Sequence, residues 1–157
     1  MTKRTALFPG TYDPITLGHV DVVEKALKVF DELVIGIGHN TSKNHLFSHS
    51  QRTEMIEAVF AKHDNIRILS FTGLTVDLCR KESINFIVRG LRNTTDFDYE
   101  QAILEMNQKL LPGLETILLT TQPKYSTISS SIVREIIKSG GDVSQFVPKE
   151  IVPFLAK

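Results

Sequence analysis

Phe8-Pro9-Gly10-Thr11-Tyr12-Asp13-Pro14-Ile15-Thr16-Leu17-Gly18-His19 joins a short apolar run, Thr5-Ala6-Leu7-Phe8, to an amphipathic helical pattern. The join is therefore a strand-to-helix turn near the start of the chain. Its prolines and glycines mark a tight, irregular loop. Gly10 lacks a Cβ, so backbone can approach a bulky ligand there. Thr16 can cap the following helix through its side-chain oxygen. Gly18 and His19 then fall in the first helical turn, where unpaired N–H groups and the positive dipole end favour an anion. The imidazole can add one more hydrogen bond. A Gly-His pair by itself is an ordinary βα turn with an exposed histidine. Small residues, a hydroxyl, an imidazole and a helix start converging on one point suit phosphate.

Outward from this turn, strand and helix patterns alternate. Val20, Val23, Leu27 and Phe30 recur at helical spacing. Leu33-Val34-Ile35-Gly36-Ile37-Gly38 reads as a second buried strand, followed by a polar loop at 39–44. Ser48 or Ser50 caps a helix to about residue 61, with Met55, Ile56, Val59 and Phe60 inward. Strands are expected at 66–69, 85–88 and 116–120, and helices at 75–81 and 95–111. The last of these helices has an apolar face of Ala102, Ile103, Met106 and Leu110. Ser129-Ser130-Ser131 opens a further helix, stopped by Gly140-Gly141, and a short C-terminal helix closes the chain. Such alternation suits right-handed crossovers and an α/β fold with a mainly parallel sheet. Its ligand belongs beyond the carboxyl ends of the strands. The Thr11 turn, the Lys43 loop, Thr75 and Arg89-Gly90-Leu91-Arg92 all follow such ends.

The 157 residues suffice for one domain spanning 1–157, with no repeat or linker. Eighteen basic and eighteen acidic residues cancel, so no global field recruits nucleic acid or a membrane surface. Phosphate binding must come from locally placed Lys and Arg. Cys79, the single cysteine, excludes an intrachain disulfide and reads as a small core residue. Neither a signal peptide nor a membrane-spanning run is apparent, and a cytoplasmic location is expected.

Thr16-Leu17-Gly18-His19 resembles the T/H-x-G-H signature of the nucleotidyltransferase superfamily. With its flanks from Pro9, it looks like the phosphopantetheine adenylyltransferase family of bacterial coenzyme A synthesis. Arg89-Gly90-Leu91-Arg92 with Asp96-Phe97-Asp98-Tyr99-Glu100 resembles that family's R-G-L-R-x-x-x-D-F-x-Y-E block, and Ile128-Ser129-Ser130-Ser131 its I-S-S-S motif. The resemblance covers nearly the whole chain. It implies a Rossmann-like domain, a five-stranded mainly parallel sheet flanked by helices, and transfer of the adenylyl group of ATP to 4′-phosphopantetheine. The products are dephospho-coenzyme A and pyrophosphate. The nucleophile is the substrate's own phosphate, so no protein base is required, and catalysis is positioning plus electrostatics.

By resemblance, His19 meets the α-phosphate, and Thr11 and Lys43 orient the attacking phosphate. Arg92 and the serine-rich helix start hold the β- and γ-phosphates. Arg89 and Thr75 lie on the pantetheine side. Tyr12, Gly90, Leu91, Glu100 and Tyr125 line the nucleotide pocket, with Ser126, Thr127 and Ile128 leading to the serines. Tyr125 stands where Trp is frequent in the family. Arg89 and Arg92 would repel without an anion between them, unless Asp96, Asp98 and Glu100 match them as a solvated pair. Mg²⁺ is expected with ATP, held mainly by phosphates and water. The family implies a homohexamer of two trimers, with coenzyme A as a possible feedback ligand. His39, His45, His49 and His63 read as surface residues. Competing readings are a nucleotidyltransferase of the same fold acting on nicotinamide mononucleotide or glycerol 3-phosphate, and a nucleotide-sensing module without turnover.

Overall fold

Leu33-Val34-Ile35-Gly36-Ile37 holds no polar residue because both faces of its strand are covered. The computed structural model describes residues 3–39 and 44–155. Its strands are β1 (Thr5–Gly10), β2 (Glu32–Gly38), β3 (Ile66–Phe71), β4 (Phe86–Leu91) and β5 (Glu115–Thr120). They form one sheet in the order β3-β2-β1-β4-β5, with every neighbouring pair parallel. The helices are α1 (Leu17–Ala26), α2 (His49–Phe60), α3 (Thr75–Glu82), α4 (Thr94–Leu110), α5 (Ser130–Lys138) and α6 (Val152–Leu155).

Successive strand residues point to opposite faces, and the core divides accordingly. Ala6, Phe8, Leu33, Ile35 and Ile37 pack with Val22, Met55, Ile56 and Val133 of α1, α2 and α5. Leu7, Val34 and Ile87 pack on the other face with Val76, Leu78 and Cys79 of α3. Burial raises the Cys79 thiol pKa to about 11, which keeps it an unreactive core thiol.

One segment differs from expectation, and a second has an open face. β4 runs on through Leu91, so Arg89, Gly90 and Leu91 are strand residues rather than a loop after the strand. The apolar face of α4 is exposed: Ile103 is 38 %, Met106 54 % and Leu110 48 % accessible, and Ala102 is exposed too. Glu100 is the buried residue of this helix. Amphipathic spacing identifies an apolar face, but not whether the surface covering it belongs to the same chain.

Candidate active site

From β1 the chain steps outward through β2 to β3, then crosses back to place β4 on the other side of β1. A crevice forms at such a reversal, beyond the carboxyl ends of the strands. A cleft of about 450 Å³ lies here. The structure brings Thr11, Tyr12, His19, Arg89, Gly90, Arg92, Glu100, Ile128, Ser129, Ser130 and Ser131 together around it.

His19 is placed by the start of α1. Thr16 is the N-cap, and its backbone N–H donates to Nδ1 of His19 at 3.0 Å. In return the Thr16 side-chain oxygen accepts from the His19 backbone N–H at 3.5 Å. This is a capping box with histidine where glutamate or glutamine is usual. A ring nitrogen that accepts carries no proton, so the neutral imidazole holds its proton on Nε2. Burial, then the positive charges of Arg89 and Arg92, pushes the His19 pKa down to about 4. Near neutrality the ring is therefore an uncharged N–H donor. Tyr12 backs it, with ring centroids 5.0 Å apart, and its own hydroxyl donates to the Phe8 carbonyl at 2.7 Å. The space left by Gly10 is taken by this tyrosine and not by a ligand: a Cβ there would lie 2.9 Å from Tyr12 Cζ.

The arginines do not need an anion between them, because each has its own carboxylate. Arg89 Nε and Nη2 both donate to Glu100 at 2.7 Å, and Nη1 donates to the Pro9 carbonyl at 3.0 Å. Arg92 Nε and Nη2 both donate to Asp96 at 2.9 Å. Burial lowers the Arg89 pKa, but its hydrogen bonds to Glu100 outweigh that and raise it, so it stays charged. Ser129 caps α5 by accepting from the Ile132 N–H at 3.2 Å, while Ser130 donates to the Pro14 carbonyl at 2.8 Å. The loop before α5 is tied to α1. Asp21 accepts from the Gln122 N–H at 2.9 Å and from its side-chain amide at 2.6 Å, and pairs with Lys25 at 3.0 Å.

Several expected residues lie elsewhere. Lys43 is outside the described residues. Thr75 opens α3 beyond the cleft lining, and Leu91, Tyr125, Ser126 and Thr127 flank the lining without being part of it. Tyr125 sits under Lys124, whose Nζ is 4.7 Å from the ring centroid. His39 and His63 are exposed as expected, but two other histidines are not simple surface residues. His45 lines the cleft, and half-buried His49 begins α2 with its ring edge on His39. Asp13 and Arg134 also line the cleft and escaped sequence reasoning. Arg134 Nη1 donates to the Asp13 carbonyl at 2.7 Å across 121 positions, which leaves no local pattern. Among the described residues no cluster of three or more His, Cys, Asp or Glu could hold a metal. The cleft carboxylates Glu100 and Asp96 are engaged by arginines, so they offer Mg²⁺ no ready ligand set.

The cytidylyltransferase-like family model matches residues 7–136. Phosphopantetheine adenylyltransferase of Lachnoclostridium phytofermentans is 45 % identical over 95 % of this chain and 91 % of its own. That of Phocaeicola vulgatus is 48 % identical over 93 % of this chain and 96 % of its own. The chain belongs to the phosphopantetheine adenylyltransferase family. A solved structure assigned as a nicotinate-nucleotide adenylyltransferase from Vibrio parahaemolyticus matches with a TM-score of 0.72. It covers 99 % of this chain and 100 % of that one at 18 % identity, which speaks for the fold alone. In this phosphopantetheine adenylyltransferase family member, the T/H-x-G-H resemblance has a physical form. Its Thr and His are the two partners of the capping box that opens α1.

Proposed function

We propose that the chain transfers the adenylyl group of ATP to 4′-phosphopantetheine, with dephospho-coenzyme A and pyrophosphate as products. The observation that carries this reading is His19, its Nδ1 engaged by the Thr16 N–H, in a cleft lined by Arg89, Arg92 and the start of α5. An oxygen of the acceptor's phosphate attacks the α-phosphorus of ATP. The bond to the bridging oxygen of the β-phosphate breaks, and its electron pair leaves with pyrophosphate. The nucleophile is already anionic, so no side chain needs to remove a proton.

The work of the protein is then to position charge and stabilise its movement. The His19 Nε2–H donates to an α-phosphate oxygen. The Gly18 N–H, in the open first turn of α1, adds a backbone donor. Arg92 and the α5 start at Ser129, Ser130 and Ser131 receive the β- and γ-phosphates as charge builds on them. Thr11 and Lys43 orient the acceptor's phosphate. Arg89, held by Glu100, fixes the wall between acceptor and nucleotide, and Thr75 lies toward the far end of the acceptor. Gly90, Leu91 and the segment from Tyr125 to Ile128 border the adenosine. Mg²⁺ enters with ATP and is held by phosphate oxygens and water.

Assembly as a hexamer of two trimers would cover the exposed apolar face of α4. Coenzyme A, which carries both substrate halves, is the proposed feedback ligand of the same cleft. No described helix is long and apolar enough to cross a membrane, and a cytoplasmic location is proposed.

An acceptor panel tests the reaction: ATP with 4′-phosphopantetheine, nicotinamide mononucleotide or glycerol 3-phosphate, with products resolved by mass. Dephospho-coenzyme A from the first acceptor alone is expected. Product only from another acceptor would move the substrate assignment while keeping the role of His19.

A further inference from the structure

Asp13 and Arg52 carry buried charges that the transfer mechanism leaves unused. Asp13 is 2 % and Arg52 1 % accessible. Arg52 projects from α2 and donates through Nη1 to two carbonyls, that of Thr11 in the cleft and that of Gly38 at 3.3 Å. Burial lowers its pKa, and the Asp13 charge opposes that. Asp13 accepts the backbone N–H groups of Leu46 and Phe47, both at 2.9 Å. Gly38 and Leu46 stand on either side of the segment that carries Lys43. Both flanks are thus fastened to one turn, Thr11 to Asp13, by opposite charges. Arg134 adds a third tie, because it donates to the Asp13 carbonyl and to Ser131 Oγ at 3.1 Å on α5.

A buried guanidinium is costly to desolvate and is a poor means of gaining stability alone. Here one guanidinium nitrogen, Nη1, donates to two backbone carbonyls that an apolar side chain could not hold together. We infer that Arg52 and Asp13 are positioning residues that hold Gly38 at the end of β2, and Leu46 and Phe47 before α2, against the Thr11 turn, and so set where Thr11 meets the acceptor's phosphate. This rests on the proposed adenylyl transfer. A misplacement of about 1 Å can cost about a hundredfold in rate.

The test uses the full-length chain with Arg52→Met, Arg52→Lys and Asp13→Asn. Amide hydrogen exchange at Gly38, Leu46 and Phe47 is read without any substrate. Faster exchange there in Arg52→Met and Asp13→Asn, with α5 and the sheet unchanged, is expected. Steady-state kinetics with ATP and 4′-phosphopantetheine should then show about a tenfold or greater rise in KM for the acceptor. ATP affinity by calorimetry should stay near wild type, and Arg52→Lys should recover part of the loss. Unchanged flank exchange would overturn the inference, as would equal losses for both substrates. A wild type without acceptor-dependent turnover would count against the proposed reaction, while the exchange data would still decide whether the flanks are fastened as described.

Discussion

The Thr16 backbone N–H donates to His19 Nδ1 at 3.0 Å, so the turn that starts α1 also chooses the tautomer of the histidine in the cleft. Nitrogen-resolved NMR of labelled histidine should show His19 as the Nε2–H form from about pH 6 to pH 8. A protonated Nδ1 at neutral pH would contradict this hydrogen bond.

The depressed His19 pKa also sets a pH dependence of stability. The folded value of about 4 lies below the usual 6.5, so the unfolded chain takes up the proton first. The neutral ring's contribution is intact above about pH 6.5 and is lost as the pH falls toward 4. Urea unfolding of wild type and His19→Asn at several pH values isolates it. The stability difference should shrink on acidification through this window, and a constant difference would contradict the assignment.

His19→Ala should lower kcat by about 10²- to 10³-fold, the usual cost of losing one donor to a developing oxyanion. The core clusters do not include this ring, so the variant should still fold. Near-normal turnover would remove His19 from the mechanism.

Glu100 and Arg89 form a more enclosed ion pair than Asp96 and Arg92, with side chains 8 % and 28 % accessible. Glu100→Ala leaves the guanidinium without its carboxylate and should cost about 3 kcal/mol in chemical unfolding. Asp96→Ala, which frees the more exposed Arg92, should cost nearer to about 1 kcal/mol. Equal losses would mean that burial does not rank these pairs.

Gly90→Ala puts a Cβ 2.9 Å from Val22 Cγ2. Val22 is buried and β-branched, so it cannot rotate away easily. A loss of about 1–3 kcal/mol is expected from thermal unfolding, as for other overpacked cores. A neutral result would show that α1 can slide on β4.

How much of this was legible in the sequence depended on the distance between partners. The strands were readable because Leu33 to Ile37 and Ile87-Val88 are apolar on both faces. The capping box was half visible, because Thr16 is a common cap but His19 is an unusual third residue. Glu100 and Asp96 are legible both as pocket residues and as carboxylates that could match Arg89 and Arg92, but which of them pairs with which arginine is fixed only by the fold. Asp13, Arg52 and Arg134 leave no local signal, since their partners lie tens of positions away in the sequence. The apolar face of α4 is legible in its spacing, but spacing does not say whether that face is buried or exposed. Met106→Asp should lower the assembly state in sedimentation without unfolding the chain, if α4 joins copies as proposed.

Pyrophosphate release from ATP and Mg²⁺, with and without 4′-phosphopantetheine, tests the central claim most directly. Release that requires the acceptor and yields dephospho-coenzyme A in equal amount is predicted. ATP binding with no release in the presence of the acceptor would contradict it, and would make the cleft a nucleotide-sensing site.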